Sequence, residues 1–207
     1  MKPTTTIAMV AAAVALGTAA CVPTPETAAA KQSTGDSSTV ARQLAALRVA
    51  PADTGAHYNR DDWPHWDSVG KGCNRREDTL KVQGRNVKTG KGCKVLSGEW
   101  TSRYDGITVT DPEAVDVDHM VPLAEAARSG TRGWSEKQRT RYANDPNVLV
   151  AVTAKSNRAK GDQDPAKWLP AKDRCGYVAH WVWVKTTYAM TVDQAEHDAI
   201  AAILRHC

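Results

Sequence analysis

Two short segments in the middle of the chain have the hydrophobic pattern of β-strands. Residues 115–121 alternate apolar and polar side chains and stop at Pro122, while residues 148–152 form an apolar run rich in β-branched side chains. The segment between them predicts two short helices, one over residues 123–129 and a second that begins at Ser135. We therefore predict two neighbouring strands joined by a helical excursion.

Helical patterns dominate the C-terminal part of the chain. Thr153 can cap a short helix that Gly161 closes. Apolar and aromatic residues recur at helical spacing over residues 174–190, and Thr191 with Gln194 forms a capping box for a final helix. Two helices of similar length joined by a tight turn pack antiparallel, so we predict a C-terminal helical hairpin. The predicted fold class is α+β.

The N-terminus has the pattern of an export signal. Residues 1–20 contain one cation, Lys2, then an apolar run and a small-residue exit, a pattern too short for a membrane-spanning helix. Cys21 follows at once, which resembles the lipid-attachment site of bacterial lipoproteins, and plain cleavage after Ala20 is the alternative. Residues 21–39, rich in Pro, Ala, Ser and Thr, predict a flexible linker. We expect a secreted or extracellular protein, or a cell-surface lipoprotein if Cys21 is acylated.

The composition predicts that residues 40–207 form one globular domain. Hydrophobic residues make up 42% of the chain and charged residues 24%, close to the globular average, which excludes disorder over most of the length. The net charge is +4, and its excess is concentrated between residues 71 and 94, where eight Lys and Arg face two acidic residues. This basic stretch fits an anionic partner, and an ordinary solvated face is the competing interpretation.

Four cysteines other than Cys21 allow two disulfides, and export permits them. Three pairings are possible. The predicted hairpin places Cys175 at the start of its first helix beside Cys207 at the end of its second, which leaves Cys73 to pair with Cys93. The second bridge would close the basic N-terminal subdomain. A zinc site is disfavoured, because no short C-x-x-C spacing is present.

The residues that can carry chemistry lie in the predicted strand, excursion, strand and helix. Three segments matter in chain order: DVDHMVPL, NVLVAV and KSNRAKGD. They resemble the motif of the HNH nucleases, the ββα-metal superfamily, and most closely the secreted branch related to the C-terminal nuclease domain of GmrSD-type restriction enzymes. The resemblance extends from about Tyr58 to Cys207 and includes GCNRRED, SGEW and DPAKW. It implies a small ββα nuclease core within the α+β domain.

The resemblance also implies a role for each motif residue. His119 would be the general base, Asp118 and Asn157 would ligate one divalent cation, and Asn147 would steady the loop that bears His119. The loop before the second strand is short for the family pattern, so Asn144 is the alternative for the middle position. We prefer Asn147 because it directly precedes the strand.

The chemistry of these residue types agrees with those roles. A phosphodiester hydrolase needs a base, a cation that neutralises phosphoryl oxygens, and cationic side chains for the backbone. Neutral imidazole near its ordinary pKa suits the base, so the rate should fall below about pH 6. Carboxylate and amide oxygens suit Mg²⁺, with Mn²⁺ as the second choice. Candidate phosphate contacts are Arg76, Arg158 and Lys160, and for Arg76 and Lys160 a structural ion pair is the alternative.

We therefore expect an exported HNH-type endonuclease with little sequence preference, because no base-reading module is evident. Its partner would be nucleic acid, with DNA favoured over RNA, and it would act as a monomer. A catalytically inactive cell-surface binding lipoprotein, anchored in the membrane through Cys21, is the alternative. The intact set of Asp118, His119 and Asn157 counts against it. A zinc hydrolase would need a further His or Cys ligand near His119, and none is present at ligand spacing.

Overall fold

The computed structural model describes Met1 and residues 36–207. The rest of the predicted signal peptide, Cys21 and most of the predicted linker lie outside the described residues. Helix α1 begins at Ser37, where the Asp36 side chain accepts a hydrogen bond from the Ser38 amide, so the folded part starts earlier than the predicted boundary at residue 40. In the part of the chain that is described, no helix is long and apolar enough to cross a membrane.

The described residues form an α+β fold in which small antiparallel sheets are covered by helices. The helices are α1 (Ser37–Ala46), α2 (Arg75–Gln83), α3 (Leu123–Arg128), α4 (Glu136–Ala143), α5 (Ala154–Lys160), α6 (Arg174–Thr187) and α7 (Gln194–Leu204). The strands are β1 (Ser68–Gly70), β2 (Cys73–Asn74), β3 (Arg85–Thr89), β4 (Val95–Thr101), β5 (Thr108–Val109), β6 (Val115–His119) and β7 (Leu149–Thr153). They pair as β1-β2, β3-β4-β5 and β6-β7.

The central unit is the predicted pair of strands followed by a helix. Strands β6 and β7 pair antiparallel, and the register places His119 opposite Leu149. Thr153 ends β7 and caps α5, because its side chain accepts a hydrogen bond from the Ser156 amide. Gly161, at φ 56°, closes the helix. Helix α5 packs against both strands, which gives the ββα arrangement.

The pair of strands β6 and β7 is buried on both faces. Successive strand residues point to opposite sides, so Val150 and Leu149 enter different apolar clusters. Val150 packs in the larger cluster with Trp181, whereas Leu149 packs in the smaller one with Leu80 and Trp100. Because both faces are covered by apolar side chains, the end of β6 is held in one position.

The C-terminal helical hairpin is present, but its second helix begins later than predicted. Asp193 caps α7 and Glu196 completes the capping box, so the predicted box at Thr191 is wrong. Thr191 instead lies in the connection, where its carbonyl accepts a hydrogen bond from the buried Lys185 ammonium at 3.0 Å. A buried ammonium must be satisfied by several acceptors, and this contact supplies one of them.

Lys185 also joins three helices beside the β6-β7 unit. Its ammonium lies 2.9 Å from a carboxylate oxygen of Glu125 on α3 and 3.1 Å from one of Glu196 on α7. Ser129 provides a further acceptor at 2.7 Å. Burial raises the pKa of Glu196 to about 7, with Lys185 opposing the shift and Glu125 adding to it. This network fixes α3, which flanks the end of β6.

Both disulfides have the predicted pairing. Cys175 at the start of α6 is bonded to Cys207 after α7, with a Cα–Cα distance of 5.8 Å. Cys73 in β2 is bonded to Cys93, with a Cα–Cα distance of 4.9 Å. The first bridge closes the helical hairpin, and the second closes the N-terminal subdomain formed by β1, β2, α2, β3 and β4.

Candidate active site

A cleft of about 420 Å³ opens beside the end of β6, between α3, α5 and the turn Arg60–Asp62. It brings together four of the residues expected from the sequence. Asp118 and His119 come from the end of β6, and Asn157 and Arg158 come from α5. Helix α5 follows β7 directly at Thr153, and β7 pairs with β6, so α5 packs beside the strand that carries Asp118 and His119.

His119 is held by one hydrogen bond and two aromatic neighbours. Its Nε2 lies 2.9 Å from the carbonyl oxygen of Ala143. The imidazole ring lies 6.1 Å from the rings of both Trp66 and Tyr142. A carbonyl oxygen can only accept a hydrogen bond, so Nε2 must carry the proton and Nδ1 must be the basic nitrogen. The backbone of the α4 C-terminus therefore selects the tautomer of His119.

Burial determines the charge of this imidazole. His119 is only 5% exposed. Desolvation lowers its pKa to about 3, and the positive charge of Lys160 acts in the same direction, while the hydrogen bond to Ala143 opposes the shift. The ordinary pKa assumed from the sequence is therefore wrong, because it ignores removal of the ring from water. His119 is neutral throughout the range in which most enzymes work.

Asp118 is tied by one of its two carboxylate oxygens. Oδ2 accepts hydrogen bonds from the Lys160 ammonium at 2.5 Å and from the Tyr104 hydroxyl at 2.6 Å. Lys160 also donates to the carbonyl oxygen of His119 at 2.9 Å. Burial raises the pKa of Asp118 and lowers that of Lys160, while their mutual attraction opposes both shifts. One buried ammonium thus holds both motif residues.

These contacts correct the expectation that Lys160 touches phosphate. Its side chain is completely buried, and its ammonium is committed to Asp118 and His119. The structural ion pair, considered as the alternative, is what the structure contains. Lys160 follows Asn157 by three residues on α5, so both side chains lie on the side of the helix that faces β6.

Asn157 is oriented by a neighbour on β6. Its amide nitrogen Nδ2 donates to the Asp116 carboxylate at 3.0 Å. Asp118 and Asn157 line the same cleft, so one carboxylate and one amide side chain supply oxygen atoms there.

The chemical type of these oxygen donors fits Mg²⁺. Mg²⁺ prefers hard oxygen ligands and keeps several waters, so two protein oxygens in an open cleft suit it. The described residues contain no group of three or more His, Cys, Asp and Glu side chains that could hold a metal ion. Lys160 offsets the charge of Asp118, so a cation held by Asp118 and Asn157 alone would be bound weakly.

Arg60 also lines the cleft, although no motif in the sequence singles it out. Its guanidinium donates to His65 Nε2 at 3.2 Å, and His65 Nδ1 in turn lies 2.9 Å from the Trp63 carbonyl oxygen. Asn59 caps the turn that carries Arg60. Arg60 and Arg158 are both exposed, so two cations reach the cleft from different elements.

Comparison with known proteins identifies the family of this site. Residues 74–203 match the family model described as GmrSD restriction endonucleases, C-terminal domain. The chain belongs to this family. It is also 39% identical over 207 residues to an uncharacterized secreted protein of Arthroderma benhamiae, a match that covers 98% of each chain. No solved structure matches the chain. The GmrSD C-terminal match contains β6, β7 and α5, and therefore all four motif residues of the cleft.

Asn147 and Asn144 are the two candidates for the residue that steadies the loop bearing His119. The exposed side chain of Asn147 donates to Asp145 at 3.0 Å, whereas His119 is hydrogen-bonded to the carbonyl oxygen of Ala143. Asn144, the alternative, is buried and directly follows Ala143. Its side chain accepts from the Asp67 amide at 2.8 Å and donates to the Pro64 carbonyl at 2.9 Å. Asn144 therefore fixes the segment whose carbonyl holds His119.

Arg76, another expected phosphate contact, is bound within the protein. Its guanidinium lies 2.7 Å from Glu77 and 3.4 Å from the carbonyl oxygens of Pro112 and Val115. These contacts join α2 to the start of β6, which makes Arg76 structural. Of the three predicted phosphate contacts, only Arg158 lines the cleft.

Proposed function

We propose that this protein is an exported, metal-dependent endonuclease that hydrolyses phosphodiester bonds of nucleic acid by a one-metal HNH mechanism. The observation that carries the proposal is the protonation state of the His119 imidazole, which lies beside the oxygen-bearing side chains of Asp118 and Asn157. The imidazole is neutral, its Nε2 proton is bonded to Ala143, and it shares a cleft with Asp118 and Asn157. Membership of a nuclease family supports the same reaction class.

In this mechanism His119 accepts a proton from the attacking water at Nδ1. The bond from Nε2 to Ala143 keeps the ring in the correct tautomer, and becomes stronger when the ring gains charge. Asp118 and Asn157 would be the residues that hold one Mg²⁺ or Mn²⁺. The bound cation would neutralise charge on the phosphoryl and leaving oxygens.

Arg158 and Arg60 would bind the phosphates on either side of the reacting bond. Both guanidinium groups are exposed at the cleft, and guanidinium matches phosphate oxygens in geometry. Contacts to phosphate carry no sequence information, so they agree with cutting of low sequence preference. DNA is the proposed substrate ahead of RNA, and the proposed active form is a monomer.

Export is supported by the predicted signal peptide, by the two disulfides and by the secreted relative. Attachment of lipid to Cys21 would turn the secreted enzyme into a cell-surface lipoprotein. The intact mass of the mature protein decides between these forms, because acylation adds a diacylglycerol and fixes Cys21 as the first residue.

The test is hydrolysis by the purified mature protein. Single- and double-stranded DNA and RNA are incubated with Mg²⁺, with Mn²⁺ and with EDTA, and a His119→Gln preparation serves as the matched control. We expect metal-dependent cleavage that EDTA abolishes and that the control lacks. Equal cleavage by both preparations, in protein shown to be free of contaminating nuclease, would contradict the assignment of His119 as the base. Binding without cleavage under every condition would favour the inactive binding protein.

A further inference from the structure

The N-terminal subdomain has an exposed basic surface that the proposed active site does not use. Its three arginines, Arg75, Arg76 and Arg85, form ion pairs with its three acidic residues, Asp78, Glu77 and Glu99. Its lysine side chains are exposed and, within the described part of the chain, form no ion pair. These lysines are Lys71, Lys81, Lys88, Lys91 and Lys94.

Three of these lysines are held together by the disulfide between Cys73 and Cys93. The turns on the two sides of the bridge touch, since a Cβ placed on Gly72 would lie 3.1 Å from the Cα of Gly92. Lys71 lies next to one turn, and Lys91 and Lys94 belong to the other. We call these three residues, with Lys88 on the adjoining strand β3, the basic knuckle.

The three acidic side chains of the subdomain are paired with its arginines, so none of them forms an ion pair with a lysine of the knuckle. The knuckle therefore keeps a positive charge that an anion would neutralise. An ammonium group is a compact point charge that binds phosphate without reading sequence. The basic knuckle is therefore chemically suited to bind a phosphate backbone.

The knuckle is connected to the cleft by a short, fixed segment. The Trp66 ring lies 6.1 Å from the His119 ring. The next residue, Asp67, is held at both backbone groups, since its amide donates to Asn144 at 2.8 Å and its carbonyl accepts from Arg75 at 2.9 Å. Strand β1 then leads directly to Lys71. At about 3.3 Å per residue the five steps from Trp66 to Lys71 span at most roughly 17 Å. With the 6.1 Å between the Trp66 and His119 rings, the path from His119 to Lys71 is at most roughly 23 Å.

That distance is short on the scale of a nucleic acid. Phosphates of one DNA strand follow each other at about 3.4 Å along the helix axis, so the path corresponds to about seven nucleotides at most. We propose that the basic knuckle binds the backbone of the strand whose scissile phosphate lies in the cleft. This rests on the proposed function and specifies its substrate class: a polynucleotide longer than the cleft, rather than a dinucleotide.

The experiment compares two variants of equal charge change. Lys91→Gln/Lys94→Gln removes two knuckle charges, and Arg42→Gln/Arg205→Gln removes two exposed charges from the surface of α1 and the end of α7. All four residues are exposed, so both variants should keep the wild-type melting temperature. Binding of a DNA duplex several turns long is measured in EDTA over a series of salt concentrations. Hydrolysis of bis(p-nitrophenyl) phosphate is measured with Mg²⁺.

We expect the knuckle variant to bind the duplex roughly tenfold more weakly at about 0.1 M salt, and the slope of log Kd against log salt to fall by about two. Its hydrolysis of the small diester should equal that of the wild type, because that substrate cannot reach the knuckle. The control variant should behave as the wild type in both assays.

Three results would overturn the proposal. The first is an unchanged Kd and salt slope in the knuckle variant, and the second is an equal loss of DNA binding in the control variant. Binding to phosphatidylglycerol vesicles is measured as well, and the third result is a knuckle variant that loses vesicle binding while its DNA binding is unchanged. The last result would assign the knuckle to a membrane surface. Failure of the wild type to hydrolyse any diester would reject the proposed function alone, since the binding measurements in EDTA do not depend on catalysis.

Discussion

Replacing His119 by Gln removes the proposed base and keeps the hydrogen bond that positions it. The Gln amide can donate to the Ala143 carbonyl, which now accepts from Nε2 at 2.9 Å, but it has no basic nitrogen. We expect kcat to fall by roughly 10² to 10⁴, the usual contribution of a general base. This corresponds to about 3 to 5 kcal/mol of activation free energy. Asp118 and Asn157 are untouched, so Mg²⁺ affinity should not change.

His119→Ala is the matched comparison for stability. It leaves the Ala143 carbonyl without its donor in a buried position, which should cost about 1 to 3 kcal/mol more than His119→Gln. Urea unfolding at neutral pH measures this difference. Both variants should have the same low kcat, because neither supplies a base.

The pH dependence of stability provides an independent check on the buried imidazole. The pKa of His119 is about 3 in the folded protein and 6.5 in the unfolded chain, so between these values only the unfolded state takes up the proton. Stability is complete above pH 6.5 and is lost as the pH falls, by about 2 kcal/mol at about pH 5 for this residue. His119→Gln should lose this part of the pH dependence. His180 and Glu196 titrate in both proteins and cancel in the comparison.

The same pKa predicts that wild-type kcat shows no loss caused by His119 protonation between about pH 7 and pH 5. Activity is measured over this range with saturating Mg²⁺ and substrate, using protein shown to be free of contaminating nuclease. If His119→Gln cleaves DNA at the wild-type rate, the assignment of the base is wrong. If unfolding of wild type and variant depends equally on pH, His119 is not buried and neutral.

Replacing Cys175 and Cys207 together by Ala should lower the free energy of unfolding by about 3 to 4 kcal/mol, because the bridge spans 32 residues, and equal urea midpoints would contradict this. Lys160→Met leaves Asp118 as an unpaired buried charge and should destabilise the protein by about 3 to 5 kcal/mol at neutral pH; a loss of DNA affinity at unchanged stability would restore Lys160 as a phosphate contact. Arg158→Gln should raise KM for DNA several-fold with little change in kcat, and an unchanged KM would remove Arg158 from the phosphate site.

The strands and helix of the site could be predicted from the sequence because their signals are local. Alternation of apolar side chains sets the strand, and a cap such as Thr153 needs only the amide three residues ahead. The capping box at Ser135 and Gln138 formed for the same reason. The capping box predicted at Thr191 was wrong, because Asp193 and Glu196 form an equivalent box two residues later.

Cysteine pairing followed from the same local patterns once two helices and a tight turn were recognised. The identity of the motif residues followed from their order along the chain. Composition and leader pattern placed the protein outside the cell, and the secreted relative supports this. These properties depend on which residues follow one another, so no knowledge of the packed core is needed to predict them.

Only the tertiary structure decided what each motif residue contacts. Lys160 reaches Asp118 across 42 positions of sequence, and Asn144 reaches Pro64 across 80. Burial is a property of the whole packed domain, so the neutral charge state of His119 could not be obtained from its neighbours in the chain. The sequence determined which residue types could form a nuclease site, whereas the contacts between distant segments determined that Lys160 became structural.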